Sequence, residues 1–372
     1  NLGLNHNFKG SYLHDIESVH KPEITSKTGV TASVMEYPAI NLAPLGVEQG
    51  DYYDTIPGPY DIWAIKYGYT PDLSKSELDE IISEQNKPEH MFANDSEDMR
   101  SPGRGIDPRA MINDLTNDPI TYASQRIELV NNSQENIVSK LSTTAGTFEE
   151  YRLAHGIFMR EYSRSLEVIS RHIGGVYVER YDPKNINTKK PYTPAPSSEQ
   201  RRAMEALNKY AFSSEAFPIN PELLQVAQIE RRMFDLYGEH EDPQMHKIIL
   251  GIQNRVLDHI LSPWTLYRIS DTELYGNEYS VNEVLNDLTN SIFTGDQNNE
   301  VSSIRRNLQT SYVRRLFSIL GQDYYDELAT AAVYNSLREI QKIVRKSSND
   351  LPTKSHRKLV SWIIESGLDG AN

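Results

Sequence analysis

Beyond residue 119, apolar side chains recur at steps of three and four, the period of a helix buried along one face. The pattern predicts helices over 122–141 and 148–173, the second carrying Leu153, Ile157, Tyr162, Leu166 and Ile169. Three more stripes follow: Met245, Ile249, Ile252, Val256 and Ile260; Val301, Ile304, Leu308, Tyr312, Leu316 and Ile319; and Leu328, Ala332, Leu337, Ile340 and Val344. Helices are also expected over 198–210 and from Asn220-Pro221, where proline takes a permitted first-turn position. Between them, 174–181 alternates and is rich in β-formers, predicting a short strand or extended arm, and 184–198 reads as a loop or linker. No fixed-period repeat is present, which favours an irregular helical bundle over a solenoid.

The stretch before 119 reads differently. Residues 9–31 mix Gly, Ser, His and charge with little periodicity, predicting a loop with at most a short helix. Pro57-Gly58-Pro59 is turn punctuation, and a short helix over 60–67 is expected to end at Gly68. Ile62, Trp63, Ala64 and Ile65 make it apolar nearly all round, so it is expected to be buried. Residues 74–85 predict an amphipathic helix with Leu78, Ile81 and Ile82 on one side. The stretch 92–108 is acidic and rich in turn formers.

Composition narrows the function classes. The 372 residues can bury a substantial core, as one large domain or two. A formal charge of −14 argues against nucleic acid, which requires a basic face. Zero cysteines exclude a disulfide scaffold, a thiolate nucleophile and any Cys-bound metal. No run approaches the roughly 20 apolar residues of a membrane span, and no signal peptide is visible. There is no nucleophile elbow, P-loop or dinucleotide fingerprint.

The candidate chemistry lies at the start. Gly3 stands three residues before His6, a spacing that lets a helix end and the chain turn back to present an imidazole. Ser33-Val34-Met35-Glu36-Tyr37 follows, with Met35 29 residues beyond His6 by subtraction, and Pro38 disfavours helix at Tyr37. These two pieces resemble the second half of the metzincin zinc-peptidase signature, H-E-x-x-H-x-x-G-x-x-H and then a Met-containing turn. Asp61-Ile62-Trp63-Ala64-Ile65 with Tyr67-Gly68 is similar to the helix that metzincins place after that turn.

The resemblance implies a zinc-dependent peptidase acting on polypeptides, with His6 as third zinc ligand, Gly3 at the helix end and Met35 as a soft floor beneath the metal. It leaves Tyr37 two roles, a switchable ligand and oxyanion stabiliser or a core tyrosine bonded to backbone. The two other His ligands and the general-base Glu are expected upstream of Asn1, so the stretch alone is expected to hydrolyse nothing.

The implied fold is mainly α: the C-terminal part of a metzincin-like catalytic domain over 1–118, then a helical domain over 119–372. The closer likeness is to large envelope-associated zinc peptidases of Gram-negative gut bacteria, which implies a cell-envelope location. In them the region matching 92–108 closes over the catalytic domain, so it is a candidate for shaping the substrate cleft. A non-catalytic, peptidase-like scaffold at the cell surface is the alternative.

Other candidates are weaker. His14 and His20 read as exposed loop residues. Asp95, Glu97, Asp98 and Asp107 are possible calcium ligands, although the order of a calcium loop is missing. In 240–246 a proline separates His240 from His246, six residues on, so the rings cannot share a helical face. Arg305-Arg306 and Arg314-Arg315 suggest a basic face used for surface pairing or partner binding.

Overall fold

The computed structural model describes residues 2–98, 102–180, 190–229 and 242–369. It is mainly helical and separates into two compact units, one formed by 1–129 with 175–194 and the other by 130–174 with 195–372. Helix α4 (Pro119–Leu141) runs through the first boundary.

In the first unit, loops outweigh regular elements. Short 3-10 turns at Gly10–Leu13 and Ser18–His20 precede α1 (Pro22–Thr28), so the 9–31 loop is more helical than expected. A small core of Val19, Val30, Leu115 and Tyr122 lies beneath, with Ile16 and Ala39 against it. His14 and His20 are buried, contrary to expectation. His14 Nε2 donates to the Gly29 carbonyl at 2.8 Å, and the His20 ring stacks 6.4 Å from that of Tyr122. Composition alone does not distinguish such a buried ring from a solvated one.

Helix α2 (Pro59–Tyr69) also departs from expectation. It runs through Gly68 to a cap at Thr70, and it is not buried all round, because Ile62 is 62% exposed. Its start is fixed by polar contacts: Pro59 sits at the first position and Asp61 accepts the Gly58 N–H at 3.0 Å. Gly58 is required by close approach, since a Cβ there would lie 2.1 Å from the Ala32 carbonyl oxygen. That carbonyl accepts the Tyr60 N–H at 3.0 Å. Helix α3 (Lys75–Ser83) follows with a Ser74–Glu77 capping box and Ile81 buried.

Strands β1 (Val176–Val178) and β2 (Tyr192–Pro194) pair antiparallel, Tyr177 opposite Thr193. The second strand falls inside the stretch read as linker. Buried Asp107 ties this hairpin to the unit by accepting the Val178 N–H at 2.9 Å and pairing with Lys9 and Arg109. Burial opposes its charge, but Arg109 and Lys9 prevail and hold its carboxyl below the ordinary range.

The second unit contains α5 (Glu149–Ser170), α6 (Ser197–Leu207), α7 (Pro221–Val226), α8 (Met245–Ile260) and α9 (Pro263–Glu273), then α10 (Val281–Phe293), α11 (Ser303–Leu320), α12 (Glu327–Val344) and α13 (Leu351–Asp369). Every member of the Met245 stripe is buried. Helix α11 packs on α8, α12 and α13, and α10 on α12. Arg305 is not part of a surface face: it is 2% exposed, pairs with Asp296, and donates to the Ile292 carbonyl at 2.7 Å. No helix among the described residues is long and apolar enough to cross a membrane.

Candidate metal centre

Gly3 has φ +80°, a left-handed conformation that glycine adopts without strain. The chain around it is anchored by the Tyr69 hydroxyl, which donates to the Leu2 carbonyl at 2.8 Å. Three residues on, His6 is partly exposed. Its ring centre lies 5.4 Å from that of Phe8 and 5.0 Å from that of Tyr37.

The Met-containing segment forms a tight turn, closed by Glu36 N–H to the Ser33 carbonyl at 3.2 Å with Val34 and Met35 at its tip. Buried Asp61 at the start of α2 holds it. One carboxylate oxygen accepts the Ser33 hydroxyl at 2.6 Å and the other the Val34 N–H at 2.9 Å. Hydrogen bonds to a carboxylate are the stronger kind, so this fixes the turn against the helix.

The turn and the histidine meet through Asn7. Its N–H donates to the Met35 carbonyl at 3.1 Å, and its buried side chain donates to the Met91 carbonyl at 3.0 Å and accepts the Ala93 N–H at 3.2 Å. Thus Asn7 joins His6, the Met35 turn and the 91–93 segment. Tyr37, two residues beyond Met35, is 51% exposed beside His6, not a core tyrosine.

A buried acid pair adjoins the turn. Glu36 accepts the Ser11 N–H at 3.1 Å while the Ser11 hydroxyl donates to Asp114 at 2.8 Å. Burial, then the charge of Asp114, raises the Glu36 carboxyl well above its ordinary range.

A family model described as Met-zincin matches residues 1–300. The chain belongs to the Met-zincin family. No match to a curated protein or to a solved structure was found. Membership identifies a zinc metallopeptidase-like domain and implies zinc dependence and a polypeptide substrate.

A catalytic zinc takes three protein ligands, and the residues gathered around the Met35 turn offer one imidazole, that of His6. Among the described residues no group of three His, Asp or Glu converges as a metal site. His14 is committed to Gly29, and the calcium candidates do not gather: Asp95 faces His6, Glu97 pairs with Arg180, and Asp107 with Lys9 and Arg109. His240 lies outside the described residues, and His246 is hydrogen-bonded to Ser303 at 2.8 Å. A cavity of about 700 Å³ between α5 and α8 in the helical unit contains none of Gly3, His6, Met35 or Tyr37.

Sequence reasoning missed Asn7 and the contact of Asp95 with His6, and it noted Asp61 only as part of a pattern. The Asp-x-x-Ala-Ile run was the one available signal, because an acid at the third helical position is a recognisable cap.

Proposed function

We propose that the chain contributes to a zinc-dependent metalloendopeptidase centre, with His6 as the third zinc ligand and Met35 as the apolar floor beneath it. The observation that carries this reading is the hydrogen bond from Asn7 N–H to the Met35 carbonyl, which brings together two motif pieces 29 residues apart (35 minus 6). His6 presents one imidazole nitrogen, and the thioether of Met35 is soft and apolar, suited to filling space beneath ligand rings. Zinc, when bound, supplies the Lewis acidity that makes a water nucleophilic at neutral pH.

The Tyr37 hydroxyl would donate to the negative charge that develops on a peptide carbonyl during attack. Its exposure beside His6 supports this role, since a buried hydroxyl committed to backbone could not meet a substrate. On this reading the zinc site takes two further ligands and a general base besides His6, and the protein works in the bacterial cell envelope.

The test is zinc content of the complete polypeptide. Near-stoichiometric zinc that is lost in His6→Ala is expected. A zinc-free parent protein would reject the enzyme reading in favour of a peptidase-like scaffold.

A further inference from the structure

Both carboxylate oxygens of Asp95 stand 2.9 Å from Nδ1 of His6. A carboxylate only accepts hydrogen bonds, so Nδ1 must carry a hydrogen, and whenever the ring is neutral its lone pair is then on Nε2. The two residues are 89 apart in sequence, yet their backbones are tied together. The Asn7 side chain grips Met91 and Ala93, and the Phe8 N–H donates to the Ala93 carbonyl at 2.8 Å. On the far side of Asp95, Glu97 accepts the Asn94 N–H at 2.7 Å and pairs with Arg180. Asp95 is therefore carried on a short segment anchored at both ends.

Stability does not account for this contact. The Asp95 side chain is 63% exposed, and exposed ion pairs contribute about 0–1 kcal/mol. What the contact does determine is which nitrogen is free and how the ring is turned. An unrestrained imidazole exchanges its proton between the two nitrogens and rotates about its side-chain bonds. A metal meeting such a ring must first select one tautomer and one rotamer.

We infer that Asp95 is a positioning residue that holds His6 in the Nδ1–H tautomer with Nε2 directed outward for metal. The inference rests on the reading of His6 as a zinc ligand. It assigns the acidic 92–98 stretch a task, orienting a ligand from behind, that differs from binding calcium itself. Losing such an outer partner weakens metal binding about 10- to 100-fold in other sites.

Two measurements on the complete protein test it. In the metal-free state, nitrogen-15 NMR of the His6 ring at neutral pH is expected to report Nδ1–H in the parent and a tautomer mixture in Asp95→Ala. Asp95→Asn, whose amide oxygen still accepts, should retain most of the preference. In competition titrations, Asp95→Ala is expected to bind zinc about 10- to 100-fold more weakly with its metal-free Tm unchanged. An unchanged tautomer, or zinc affinity within twofold of the parent, overturns the inference. If His6→Ala abolishes zinc binding while Asp95→Ala does not weaken it, this inference fails and the zinc reading survives. If the parent binds no zinc, both fail.

Discussion

Asn7 shows how one side chain can organise a site without carrying its chemistry. Its amide bonds to Met91 and Ala93, while its backbone N–H reaches Met35, so three segments distant in sequence meet beside His6. Asp61 does the same for the turn from the opposite side. Between these supports Tyr37 is left half-exposed against the His6 ring. Replacing it tests that role cleanly, because its hydroxyl is not among the contacts that hold the turn. If the proposed oxyanion role holds, Tyr37→Phe in the complete protein is expected to keep its zinc and lose about 100-fold in kcat, the usual cost of removing one oxyanion donor. Unchanged turnover would remove Tyr37 from the mechanism. The roles proposed for Gly3, His6 and Met35 come from the sequence, because fixed spacing between special residues is what a family signature records. Asn7 and Asp95 were not, because a side chain that bonds to backbone or to a residue 89 positions away leaves no local pattern.

At the scale of elements, periodicity located helices well and their buried faces less well. The Met245 stripe matches the buried face of α8 at every position. The stripe begun at Leu328 matches at Ala332, Leu337, Ile340 and Val344 but not at its first position, because the buried face of α12 starts at Ala329 and takes in Val333, leaving Leu328 55% exposed. A leucine marks an apolar face more strongly than an alanine, although here it is the neighbour Ala329 that is buried. Leu328→Ala is accordingly expected to change stability by less than about 0.5 kcal/mol. Val333→Ala should cost about 2 kcal/mol by removing buried methyl groups, and equal losses in the two variants would mean that the helix is turned differently. Helix α13 has no clear apolar stripe, because Thr353, His356 and Arg357 are buried on it and interrupt the period. Helix α2 misled in the opposite sense. Its apolar composition suggested burial, but caps and a tight glycine contact fix it, and its outer side is left to solvent.

For the whole molecule, the two units rely on different forces, and this makes their response to acid informative. The first is a set of loops joined by buried carboxylates such as Asp61 and Asp107, the latter held ionised by its cations. The second is a helical bundle whose interior holds histidines in the neutral form. Burial, then Arg306 and Arg357, lowers the His356 pKa to about 4, and burial with Arg268 and Arg171 lowers that of His259 to about 3. A histidine whose pKa is lower in the folded than in the unfolded state contributes stability above its unfolded value near 6.5 and loses it as pH falls toward the folded value. For His356 that window runs from about 6.5 down to about 4, and the loss already reaches about 2 kcal/mol at pH 5. The ring is held in place by His356 Nε2–H, which donates to Gln309 Oε1 at 2.8 Å, and the Gln309 amide in turn donates to Ile292 and Asp296, so the added proton goes to Nδ1 in the buried, arginine-flanked site. His356→Gln can still donate to Gln309 but cannot take up a proton, so it should melt close to the parent at pH 7. Between pH 7 and pH 5 the parent is expected to lose about 2 kcal/mol more than the variant. Thermal melts of the two proteins over that range provide the comparison, and parallel losses would mean that His356 does not titrate in this window.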